Sequence, residues 1–76
     1  MKKQFVIYDF SSNSFFVSLN EQEIVWGSSP MLFDSKEEAE TSLSDAYGMF
    51  PIDFNGRLIS ITDVLISEQM ILNKNK

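Results

Sequence analysis

Only one stretch of this chain carries a well-capped helical pattern, and β-branched and aromatic runs flank it on both sides. That confines the fold to a small sheet with a single helix. Ser35-x-x-Glu38 is a capping box with Ser35 as N-cap, and Glu37, Glu38 and Glu40 sit near the positive end of the helix dipole. Ala39, Leu43, Ala46 and Tyr47 then recur at helical spacing as one apolar stripe. The pattern predicts a helix over 36–47, with Gly48 as its C′ terminator.

The flanking runs read as strands. Residues 4–9 (QFVIYD) and 14–19 (SFFVSL) are separated by the turn cluster Ser11-Ser12-Asn13 and form a hairpin. A short strand follows at 23–26, ended by Gly27-Ser28-Ser29-Pro30. Beyond the helix, residues 48–56 (GMFPIDFNG) are a loop by their Gly, Pro and Asn content, and 57–66 (RLISITDVLI) read as a final strand. Residues 62–72 also fit a helix capped by Thr62, and the periodicity of short apolar runs leaves both readings open. The expected architecture is α+β in the order βββαβ, an antiparallel meander with one helix packed on one face. A single domain spans 1–72, with a disordered tail at 73–76. A right-handed crossover lays the last strand beside the first and parallel to it.

Both sides of these strands are apolar. Phe5 and Ile7 alternate with Val6, Tyr8 and Phe10; Phe15, Val17 and Leu19 oppose Phe16; Ile59, Ile61 and Leu65 oppose Leu58, Val64 and Ile66. One helix of this length, about 18 Å, covers one face of a four-stranded sheet, and a wet second face calls for cleaner alternation. Two covers fit the second face: the apolar loop 49–54, or a partner, either a second copy of the chain or another protein. For a partner, the anchors are Tyr8, Phe16, Trp26, Phe50 and Phe54, since buried aromatics dominate interface energetics.

Composition narrows the chemistry. The chain has neither cysteine nor histidine, so disulfides, thiolate or imidazole metal sites and the usual catalytic nucleophile and base are missing. The expectation is binding without catalysis, cofactor or metal. Glu37, Glu38 and Glu40 suit capping better than acid–base work, and Asp53-x-Asn55-Gly56 lacks the later ligands of a calcium loop. Four of the six basic residues lie at the ends, so between residues 4 and 73 Lys36 and Arg57 face eleven acids, a net of −9. Such a surface repels phosphate backbones and suits a basic partner. No targeting or membrane segment is apparent, because Asp9 breaks the first apolar run. The cytoplasm is the expected compartment.

The sequence FVIYDFSSNSFFVSL, then IVWG, LFDSKEEAE and RLISITDVLI, resembles small accessory proteins encoded by bacteriophages across residues 4–66, most distinctively at Trp26 and Phe33–Ala39. The resemblance implies a host-directed role, such as inhibition of a host or defence enzyme by direct contact, and carries no catalytic residue with it. An alternative from the charge pattern is a nucleic-acid mimic, with Glu21, Glu23, Glu37, Glu40, Asp45 and Asp53 occupying a basic groove.

Overall fold

The computed structural model describes residues 2–66. The elements are β1 (Lys2–Asp9), β2 (Ser14–Leu19), β3 (Ile24–Gly27), α1 (Lys36–Met49), a short 3₁₀ turn (Pro51–Phe54) and β4 (Ile59–Ile66). The strands form one sheet in the order β3-β2-β1-β4, with every neighbouring pair antiparallel. This is the expected α+β meander with one helix.

The direction of β4 differs from the parallel arrangement expected, and the cause lies in residues 28–35. β1 and β2 pair only at Tyr8↔Phe15 and Asp9↔Ser14, next to their turn. Below that point the strands part and the segment 31–33 fills the gap. The Met31 amide donates to the Phe16 carbonyl at 3.0 Å, and Phe33 exchanges two backbone hydrogen bonds with Phe5, at 2.8 and 2.9 Å. The chain therefore descends the sheet before the helix begins. α1, about 21 Å long at 1.5 Å per residue, carries it back to the top, and β4 must run down. It pairs with β1 over eight unbroken positions, from Lys2↔Ile66 to Asp9↔Ile59.

The helix starts at the predicted cap, Ser35, with the return bond from Glu38 made one residue before it. The Glu38 amide donates to Ser35 Oγ at 3.2 Å, while the Glu38 carboxylate reaches back to the Asp34 amide at 3.0 Å. Its end differs. α1 runs to Met49, with Gly48 inside the last turn and Phe50 as C-cap at φ −135°. Pro51 stops the helix, because a residue before proline is driven out of the α region. A left-handed glycine is not used.

The core lies between α1 and one sheet face. Ile7, Phe16, Phe33 and Ala39 form its buried centre, with Phe5, Leu19, Trp26, Leu43, Ile59 and Ile61 packed around them. Ala39 and Ala46, both fully buried, are small enough to bring the helix axis close to the sheet. Strict alternation places Phe16 and Leu19 on opposite faces, yet both join this core. The register slips from Phe16↔Trp26 to Ser18↔Val25, a β-bulge that makes Val17 the extra residue and returns Leu19 to the helix side.

Candidate interaction surface

The top of the molecule is organised by one buried carboxylate. Asp9 ends β1, where the chain must turn into β2 and where β4 begins, and its side chain has no exposed surface. It accepts from the Ser11 amide and hydroxyl at 2.9 and 2.6 Å, the Ser12 hydroxyl at 2.7 Å, the Leu58 amide at 3.1 Å and Arg57 Nη1 at 2.6 Å. Burial alone would raise its pKa. The hydroxyl and amide donors and the guanidinium outweigh burial and hold the carboxyl well below the usual carboxylate range. Asn13 completes the turn in the left-handed region (φ 54°), a conformation asparagine tolerates.

Arg57 extends this network to the helix side. Its Nε donates to the Asp53 carbonyl at 2.6 Å, and its guanidinium stacks 4.2 Å from the centre of the Trp26 ring. Trp26 Nε1 donates to the Asp53 carboxylate at 2.8 Å, and Phe54 packs edge-on against Trp26 at 5.8 Å and tilted against Tyr47 at 5.5 Å. The 3₁₀ turn thus closes over the same face as α1. It does not cover the second face, so that proposed cover for the sheet is absent among the described residues.

The five residues expected as partner anchors are divided by this arrangement. Phe16 is 1% exposed at the centre of the core and offers a partner no surface. Trp26 and Phe54 are half-buried in the helix-side cluster, and Phe50 caps α1. Tyr8 alone lies on the second face. Its ring meets Phe10 edge-on at 4.8 Å and Phe15, its cross-strand neighbour, at 4.9 Å, and its hydroxyl donates to Asn13 Oδ1 at 3.0 Å.

Phe10 and Leu58 complete the apolar part of this second face. Phe10 is 57% exposed, Leu58 is 64% exposed, and the Phe10 amide donates to the Leu58 carbonyl at 2.9 Å. Toward the bottom, Val6 and Gln4 are buried between the flanking strands and the inserted segment, while the β4 side carries Ser60 and Thr62, opposite Tyr8 and Val6. Gln4 Nε2 donates to Asp34 Oδ1 at 3.2 Å. An aromatic cluster at one end of the sheet therefore grades into hydroxyl-bearing residues along β4. Phe10 and Leu58 are the exposed part of this face, Tyr8 and Phe15 are half-buried, and Val6 and Gln4 are buried. Alternation along 4–10 carried the signal for Phe10; the pairing of Phe15 with Tyr8 and the return of Leu58 beside Phe10 needed the folded chain.

Six acids were expected to act together as a phosphate mimic. Glu37, Glu40 and Asp45 share a shallow groove on the outer surface of α1, Glu21 and Glu23 belong to the β2–β3 connection, and Asp53 is held by Trp26 and Arg57. They do not form one row. Among the described residues no three acidic side chains gather as a metal site, and no helix is long and apolar enough to cross a membrane. No protein-family model, curated protein or solved structure matches the chain.

Proposed function

We propose that this chain is a non-catalytic protein-interaction module that docks through the open face of its sheet, with Tyr8, Phe10, Phe15 and Leu58 as the contact residues. The observation that carries this reading is an aromatic cluster of Tyr8, Phe10 and Phe15 whose outer part, Phe10 beside Leu58, stands exposed at one end of the sheet face. Aromatic side chains supply large contact area at low entropic cost, and exposed apolar patches on small domains mark interaction sites. The acidic body favours a partner with a basic surface around an apolar centre. A cytoplasmic host or defence enzyme, inhibited by direct contact, is the kind of target that the likeness to phage accessory proteins implies.

The test is a pair of single variants at exposed positions, Phe10→Ser and Leu58→Ser. Immobilised wild-type chain is passed against extract from the source cell and from any host it infects, and retained proteins are identified by mass spectrometry. A partner held by the wild type and lost from both variants, with thermal unfolding midpoints unchanged, supports the reading. Equal retention by all three, or retention by none, overturns it.

A further inference from the structure

The open face is not the only surface left unpaired, and the outer edge of β4 has its own chemistry. In an antiparallel ladder, residues alternate between directing both backbone groups to one neighbour and directing both to the other. Phe5 spends its N–H and C=O on Phe33, away from β4. Its opposite number, Asp63, is therefore a non-hydrogen-bonded pair with it, and the inward bonds of β4 come from Ser60, Thr62 and Val64. Phe10 agrees, since its amide donates to the carbonyl of Leu58, an even-numbered residue. The N–H and C=O groups of Ile61, Asp63 and Leu65 thus point outward, and no described residue pairs with them.

Asp63 is the one charged residue on this edge. Eight residues run in unbroken register without proline, lysine or bulge. Beside it lies a groove of about 540 Å³ lined by Ile59, Ile61, Leu43, Tyr47 and Phe54, with Glu40 and Arg57 also lining it, the latter's charge met by Asp9 and Asp53. The groove lies between α1, which packs on β1 and also reaches β4, and the half-buried helix-side residues Ile59 and Ile61 of β4.

We infer that β4 accepts a fifth, antiparallel strand from a basic, extended segment of a partner protein. This rests on the reading of the chain as a protein-binding module but uses a different surface. Residues placed opposite Ile59 and Ile61 share their face and enter the groove, so they are apolar. The residue opposite Asp63 is Lys or Arg: Lys3 engages Asp63 through Oδ2 alone, at 3.2 Å, in an exposed pair. A second copy is the poorer occupant. Two-fold pairing of β4 must match odd residues with odd ones, which sets Asp63 either against Asp63 or against an apolar residue (Ile59, Ile61 or Leu65) that leaves its charge unpaired across the seam, and each copy adds its own acidic body.

The probe is a synthetic peptide, Val-Thr-Lys-Thr-Val-Thr-Ile, added to the full chain while amide hydrogen exchange is followed residue by residue. The expected result is slowed exchange at Ile61, Asp63 and Leu65 only when peptide is present. Asp63→Lys weakens binding about fivefold, and replacing the peptide's lysine by glutamate does the same. Leu65→Pro, which removes an outward N–H at an exposed edge position, weakens binding while the unfolding midpoint holds. Exchange at the three amides that stays fast with peptide overturns the inference. So does protection in the free chain, whether independent of concentration (residues 67–76 occupying the edge) or rising with it (self-pairing). The Phe10→Ser and Leu58→Ser experiment reads the open face separately, so either surface can fail alone.

Discussion

At the scale of single residues, Asp9 shows how one side chain ties together parts of the chain that are remote in sequence. Its partners range from Ser11 to Leu58, 49 positions away. The carboxylate is a good hub because it accepts several bonds at once and two are strengthened by charge or short distance. Its lowered pKa makes it a pH-dependent contributor to stability. The folded state favours the ionised form more than the unfolded chain does, where the ordinary value is 3.8. The contribution is therefore full above about pH 5 and is lost as pH falls below the ordinary value toward the folded one. Asp9→Asn keeps the shape but loses the charge, and should cost about 2 kcal/mol at pH 7. In urea titrations the gap between wild type and variant should narrow steadily below pH 4; a gap that stays constant to pH 2 would show that ionisation of Asp9 is not what matters. Phe54 teaches the opposite lesson from the one its exposed, apolar loop suggested. An edge-on contact with Trp26 and a tilted one with Tyr47 make it a packing residue of the helix side.

At the scale of elements, α1 is a helix with a strong start and a weak finish. Ser35 and Glu38 satisfy the first amides, but the last turn contains Gly48 and no basic residue to meet the negative end of the dipole. A Cβ placed on Gly48 meets no atom within 4 Å, and its φ is not in the left-handed region. Gly48→Ala should therefore stabilise the protein by about 0.5–1 kcal/mol, raising the thermal midpoint by about 3–6 °C. A lower midpoint would mean that the glycine meets a contact the described residues do not reveal. The sheet shows a related economy. The bulge at Val17 lets β2 contribute both Phe16 and Leu19 to one core, which a regular six-residue strand with this sequence cannot do. The inserted segment 31–33 supplies Phe33 to the same core from the plane of the sheet.

At the scale of the whole molecule, one helix and one turn shield one side of a four-stranded sheet, and the acidic body surrounds what is left. If the open face docks a partner mainly by apolar contact, raising salt from 50 to 500 mM should change the dissociation constant of the complex by less than about tenfold, because short-range apolar burial is barely screened. A several-hundredfold rise in the dissociation constant would instead support the phosphate-mimic alternative. Much of this organisation was legible without coordinates. The capping box, the hairpin turn, the three leading strands and the excess of apolar side chains on both strand faces follow from local rules: hydrogen-bond capping, turn chemistry and side-chain periodicity act over a few residues and leave their mark in neighbouring letters. The direction of β4, the parting of β1 and β2, the recruitment of Leu19 and the burial of Phe16 were decided elsewhere. They depend on which distant backbone groups find each other, Phe33 with Phe5 and Leu58 with Phe10. A residue's face is set by register, and register is a property of the paired strands together, so only the assembled sheet could say which aromatics lie in the core and which stand open.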